Sequence, residues 1–276
     1  MKKIIAMMMA LTMVLALAAC GQKAPAAPAA SSAPAPASSA APAEKKETTY
    51  AVEAGSAGEA VALEKGFKVV SVDTQAKALM EVQAGTSDAA IIDSLMAGAM
   101  VGEGTSYPDL KVTDQKLTEE LYGVGCRKGS DLASFINSVF GKAYAAGTMQ
   151  ELAEKYGVDA ALIAQEECEY NAVAGGDVEY IKGKGKLVVG ITDFAPMDYK
   201  ENGEWVGFDA DMSKIVAEEL GVEIEFIEID WDNKIFELDG KTIDVVWNGM
   251  TLTDAVMAAM ECSNAYCNNA QVVVTK

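Results

Sequence analysis

From residue 50 onward, short apolar runs alternate with longer stretches in which apolar positions recur every three or four residues. The first pattern suits buried strands and the second suits helices packed on one side. Strands are predicted at 50–53, 69–72 and 89–92, with helices at 59–65 and 74–84 between them. That βαβαβ order is the mark of an open, parallel-sheet lobe. Residues 110–112 and 120–126 also look extended, and helical patterns follow at 132–146, 149–156 and 160–169. The Gly- and Lys-rich stretch 171–186 looks like a connector. Beyond it, strands are predicted at 187–191, 223–229, 243–247 and 271–274, with helices at 209–221, 234–238 and 254–260. Asp209 is placed as the N-cap of the first of these helices and Gly221 as its stop. Both halves are therefore expected to be α/β.

The first 47 residues follow neither pattern. Lys2 and Lys3 precede an apolar run from Ile4 to Leu17 that is short for a membrane span, and the run ends in Leu17-Ala18-Ala19-Cys20. This is the layout of an export signal over 1–19. Residues 20–47 are mostly Ala, Pro and Ser, which cannot build a core, and they are predicted to be a tether. The remaining stretch, about 230 residues, is more than a small single core needs and favours two lobes.

Charge narrows the partners. The formal net charge is −19, and it becomes −21 if a leader carrying Lys2 and Lys3 is removed. Nucleic acid and anionic lipid surfaces are poor matches for such a chain. The sequence has no His, and the spacing of Cys262 and Cys267 is not that of a zinc ribbon, so neither a metal nor a cofactor is expected. Cys126, Cys168, Cys262 and Cys267 are predicted to be free thiols in preference to a disulfide, although an exported chain would permit one.

Seven segments together resemble the amino-acid-type extracellular solute-binding proteins of ABC importers. They are ITDFAPMDY (191–199), GFDADMSKIVAEELG (207–221), DVVWNGMTLT (244–253), CSNAYCNNAQVVV (262–274), VEAGSAGEAV (52–61), DAAIIDSLMA (88–97) and YGVGCRKGSDL (122–132). In the family's usual order the ITDF block comes first, whereas here it comes after the other lobe. The resemblance thus implies a two-lobe, type II periplasmic-binding-protein-like fold that is circularly permuted, with lobes at 48–120 and 121–276 and one covalent crossover near 121–126. LAAC resembles a bacterial lipobox, which implies a lipidated Cys20 on the outer face of the cell membrane.

The resemblance also implies a site. Asp93 would accept the ligand's ammonium, with the Gly249 carbonyl as a second acceptor. Ser56, Ala57 and Gly58 would supply loop donors, Phe194 and Trp231 would stack on the ligand, and Asn248, Met250 and Thr251 would line the far wall, with Thr251 nearest the ligand carboxylate. The family's carboxylate-binding Arg is missing: Val256 stands in its place, and the chain's single Arg, Arg127, falls in a structural block. Backbone donors with Thr251, or a Lys, or a solute without a free carboxylate would have to answer for that loss. The expected function is a monomeric solute-binding component that delivers an amino-acid-like ligand to an ABC permease. A surface sensor of the same fold is the alternative. A small-acid dehydratase is disfavoured because no residue pattern supplies a placed acid or base, so no catalytic residue is assigned.

Overall fold

The computed structural model describes residues 47–276, so the predicted leader, Cys20 and nearly all of the tether lie outside the described residues. Two mixed sheets carry the fold. The first part of the chain runs β1 (Thr49–Glu53), α1 (Ala57–Glu64), β2 (Lys68–Val72), α2 (Gln75–Ala84), β3 (Ala89–Asp93), α3 (Ser94–Met100) and β4 (Lys111–Lys116). As predicted, β1 lies between β2 and β3 and is parallel to both. All five residues of β3 are buried, as expected of a central strand covered on both faces.

The chain then crosses to a second sheet through β5 (Glu120–Cys126), and α4 (Leu132–Ala145) and α5 (Thr148–Tyr156) follow. After α6 (Asp177–Lys184) come β6 (Lys186–Ile191), the hairpin β7 (Tyr199–Glu201) and β8 (Glu204–Val206), α7 (Phe208–Leu220) and β9 (Glu223–Glu228). The last stretch holds α8 (Lys234–Asp239), β10 (Val245–Thr251), α9 (Asp254–Ala259), β11 (Glu261–Cys262), β12 (Cys267–Asn269) and β13 (Gln271–Thr275). The second sheet has the order β11-β5-β10-β6-β9, with β12 also on β5.

The last strand departs from expectation. β13 pairs antiparallel with β3 and β4, in the first sheet, which therefore has the order β2-β1-β3-β13-β4. The 121–276 stretch accordingly gives its final strand to the other sheet, and the chain crosses between the sheets twice, at residues 117–119 and at Ala270. Apolar residues on both sides of β3 explain the choice, because Val272, Val273 and Val274 bury against Ile92, Ile91 and Ala90 at that position.

Two other expectations fail locally. Residues 160–169 are not helical: only a short 3-10 turn forms at Asp159–Ala161, then Leu162 bridges to Cys267 and the Ile163 N–H donates to the Tyr266 carbonyl at 2.8 Å. The supposed connector instead contains α6, which begins with Asp177 and Glu179, ends with Lys182 and Lys184, and stops at Gly185 in the left-handed conformation. Helix α6 is anchored through the single arginine. Arg127 Nε donates to Asp177 at 3.0 Å, Nη1 to the Ile243 carbonyl at 2.9 Å and Nη2 to Asp244 at 3.3 Å, which is the structural role expected of it. Lys184 reaches the same fully buried Asp244 at 2.5 Å. All four described cysteines are free, and Cys168 is exposed. No described helix is long and apolar enough to cross a membrane.

Candidate functional site

Where the two sheets face one another, a cavity of about 220 Å³ takes its walls from both. One wall begins at the end of β1. After Glu53 the chain turns through Gly55, at φ +69°, into Ser56, which caps α1 by accepting the Glu59 N–H at 3.1 Å. Glu59 reaches back to the Gly55 N–H at 2.8 Å. Reciprocal capping of this kind fixes the loop and turns Ser56 and Ala57 toward the cavity. Gly58 does not reach it. A Cβ at that position would meet Gln271 Oε1 at 2.8 Å and the Ile91 carbonyl at 3.1 Å, so this glycine lets α1 lie close on the first sheet and is not part of the cavity lining.

The facing wall comes from β10 and the turn before α8. A bulge interrupts the β10–β5 register between Val246 and Met250, and within it Gly249 adopts φ +53°. The ring of Phe194 presses on that glycine; a Cβ there would lie 2.3 Å from Phe194 Cε1. Trp231, Met250 and Thr251 line the same wall, and so does Val256. Nine of the ten residues expected from the sequence, all except Gly58, therefore share one cavity.

Their polar atoms are less available than expected. The Asn248 carboxamide is fully engaged: it accepts from Thr192 N at 3.0 Å and Thr192 Oγ1 at 2.6 Å, and it donates to the Thr192 carbonyl at 3.0 Å and to Asp198 at 2.7 Å. Thr251 Oγ1 donates to Glu120 at 3.0 Å. Met250 packs under the wall with Val256 and Met260. Asp93, fully surrounded, accepts from the Tyr122 hydroxyl at 2.7 Å and Gln271 Nε2 at 3.0 Å, and also from Gln75 Nε2 and Asn269 Nδ2. It makes no side-chain cap to α3. Burial, with the Glu120 charge added, raises its carboxyl to about 7, and the donated hydrogen bonds pull the other way.

Two lining residues were not singled out from the sequence. Glu53 is 4% exposed, and its Oε1 has no hydrogen-bond partner among the described residues. Burial pushes its carboxyl up to about 8; the nearby Asp93 charge adds to this, while Gln75 and Lys234 oppose it. Lys234 is the only cationic side chain lining the cavity among the described residues. Its Nζ donates to the Trp231 carbonyl at 3.0 Å and to the Gly55 carbonyl at 2.9 Å, which ties the two walls together. It also lies 4.7 Å from the centre of the Trp231 ring. Burial lowers its pKa, and the Glu53 charge limits the fall. A polar end to an otherwise buried strand was the available sequence signal for Glu53. For Lys234 none separated it from other surface lysines.

Asp209, expected to be a helix cap, is instead completely buried inside α7, where Gly207 holds the cap position. Its Oδ2 accepts from the Gly249 N–H and from the Tyr266 hydroxyl, each at 2.7 Å, so it sets the bulge from behind. Burial raises it and the neighbouring Asp198 above the usual carboxylate range.

Known proteins share sequence with part of this chain. Residues 187–276 match the bacterial extracellular solute-binding proteins, family 3. The arginine-binding extracellular protein ArtP of Bacillus subtilis is 36% identical over 95 residues, which is 34% of this chain and 37% of that protein. The L-cystine-binding protein TcyA of Bacillus subtilis is 35% identical over 109 residues, 38% of this chain and 40% of its own length. The L-cystine-binding protein TcyJ of Escherichia coli is 31% identical over 93 residues, 33% of this chain and 35% of TcyJ. Among solved structures, the arginine-bound truncated ArgBP of T. maritima is 41% identical over 29% of this chain and 39% of that chain, with a TM-score of 0.28. The chain thus spans less than half the length of the curated relatives it matches. Residues 187–276, the stretch that matches the bacterial extracellular solute-binding proteins, family 3, hold Phe194, Trp231, Lys234 and the Gly249 bulge.

Proposed function

We propose that this chain is an extracytoplasmic solute-binding protein that encloses a small, amine-bearing, amino-acid-like solute between its two sheets. The observation that carries this reading is the cavity itself: capped-loop residues and carboxylates stand on one wall, while Phe194, Trp231 and a glycine bulge stand on the other. A volume of about 220 Å³ suits a small solute, and walls drawn from two sheets suit a hinged closure. In this reading Cys20 is lipidated, residues 20–47 tether the module to the outer face of the membrane, and an ABC permease receives the solute. The chain is a circular permutant of the usual order and acts as a monomer. Asp93, Ser56, Ala57, Phe194, Trp231, Asn248, Gly249, Met250 and Thr251 form the site, with Glu53 and Lys234 added. Gly58 supports the loop.

Thermal-shift screening of the purified chain against free amino acids, cystine and small peptides tests this. A solute at 100 times its Kd stabilises by about 2.7 kcal/mol, roughly 5–10 °C for a chain of this size. No shift with any member of the panel would sink the reading. Glu53 also favours a second reading, since a carboxyl that keeps its proton near neutral pH inside a cavity is what acid catalysis requires. Steady conversion of a bound compound, followed by chromatography, would favour an enzyme of this fold over a carrier. Solute uptake that depends on a permease would separate transport from sensing.

A further inference from the structure

Asp93 is largely engaged within the protein. Each carboxylate oxygen has about two lone-pair sites; Tyr122, Gln271 and Asn269 together crowd Oδ1, and Gln75 takes one site on Oδ2. The Asp93 N–H in turn donates to Gln75 Oε1 at 2.8 Å, which locks the Gln75 carboxamide between β3 and the cavity. Glu53 presents the opposite case. It lines the same cavity at the end of β1, and its Oε1 is buried without a hydrogen-bond partner among the described residues. Lys234 attracts it, with no ion pair between the two among the described residues; two of the three ammonium donors go to the Gly55 and Trp231 carbonyls.

From this contrast we infer that Glu53, not Asp93, receives the ammonium group of the solute, and that Asp93 is a positioning residue that holds Gln75 and Tyr122. The inference rests on the solute-binding reading above and names the chemical class the cavity selects: a protonated amine. Binding then involves a proton. In the empty protein Glu53 is a carboxylic acid up to about pH 8; the arriving ammonium pairs with the carboxylate, and the displaced proton leaves to solvent. The groups facing Glu53 are Asp93 from β3, which raises it, Gln75 from α2, whose side-chain hydrogen bond lowers it, and Lys234 from α8, which also lowers it. Asp232, in the turn before α8, acts on Lys234.

The experiment is calorimetry on the purified chain, with the free amino acids of the screen as probes and their N-acetyl derivatives as controls. Wild-type affinity should fall about fivefold from pH 8 to pH 7, an interval at or above the titration of Asp93, and about one proton should be released per solute bound near pH 7. Glu53→Gln should weaken binding about 10- to 100-fold and flatten that pH dependence. Glu53→Asp should restore the pH dependence at reduced affinity, and a far-UV spectrum matching wild type would show that both variants are folded. Asp93→Asn should lower thermal stability and keep a pH dependence whose midpoint moves to lower pH, because the Asp93 charge no longer helps to raise Glu53. The inference is overturned if Glu53→Gln retains wild-type affinity and pH slope, or if the N-acetyl derivatives bind as well as the free amino acids. Failure of every free amino acid to bind the wild-type chain would remove the solute-binding reading itself, and the role of Glu53 with it.

Discussion

Replacing Glu53 with Gln should stabilise the empty protein, increasingly so as the pH rises. Glu53 keeps its proton to about pH 8 in the folded chain, against 4.5 for an ordinary glutamate. Between those values the native state binds more protons than the unfolded one, so stability falls as pH rises. The contribution is fully present below 4.5 and lost by about 8. A difference of this size corresponds to about 5 kcal/mol at roughly 1.4 kcal/mol per pH unit, and part of it is shared with Asp93, whose charge helps to raise Glu53. Glutamine has the same shape and no proton to lose. The variant should therefore match wild type near pH 4.5 and exceed it by about 3–5 kcal/mol at pH 8. For about 230 residues that is a gain of roughly 10 °C in Tm. Scanning fluorimetry of both proteins without solute, in steps from pH 5 to 8.5, measures it. Parallel curves for the two proteins would show that Glu53 is solvated or otherwise paired, and the argument from its burial would fail.

The bulge residue should be intolerant of a side chain. Gly249→Ala forces φ +53° on an L-residue and a Cβ 2.3 Å from Phe194, so a loss of about 2–4 kcal/mol by chemical denaturation is expected. Asp244→Ala should cost about 3–5 kcal/mol, because it strips a buried acceptor from Arg127, Lys184 and the Val188 N–H together. The proposed permutation has its own check. Strand β13 is antiparallel to β3, and β3 is parallel to β1, so Lys276 and Thr49 lie at the same end of the sheet, two strand spacings or about 10 Å apart. A linker of about four residues spans that gap. A module so joined and reopened at the exposed Gly175 should unfold cooperatively with a Tm near the parent's, and a molten product would refute the permutation.

Most strands were legible because burial on both faces leaves continuous apolar runs, as in β3, β6 and β13. Which sheet a strand joins is not written in such a run. Strand β13 could have followed its neighbour β12 onto β5, and only the apolar surface of β3 decides otherwise. The 160–169 segment shows the converse: a helix-forming composition is overridden once Leu162 and Ile163 pair with the 266–267 backbone. Helix α6 was missed although its charge pattern and its closing Gly185 were readable, because the flanking glycines suggested a loop. The site was legible as a set of positions and much less so as a set of available atoms. Asp93 was identifiable at the end of its strand, yet the donors that fill it include Asn269 and Gln271, 176 and 178 residues away. No local pattern foretells that.

The chemistry of the cavity differs from what the resemblance implies. Where the resemblance calls for a guanidinium, Val256 packs with Trp231, Met250 and Met260, and its N–H is taken by Thr253 Oγ1 at 3.2 Å. That corner is apolar and cannot hold a carboxylate cheaply. The only cation on the wall among the described residues, Lys234, enters from the Trp231 turn and uses two of its three donors to tie the loop after β1 to the turn before α8. A solute carboxylate would therefore have one donor of Lys234 to use, and would have to share it with the attraction of Glu53. The ammonium end faces a more favourable balance, because Glu53 lines the cavity and its Oε1 has no hydrogen-bond partner among the described residues. Selectivity in such a cavity follows from which polar atoms the fold has left without partners, and here the uncompensated atom is an acceptor. An amine is thus the group whose binding the protein rewards most, and a free carboxylate adds little.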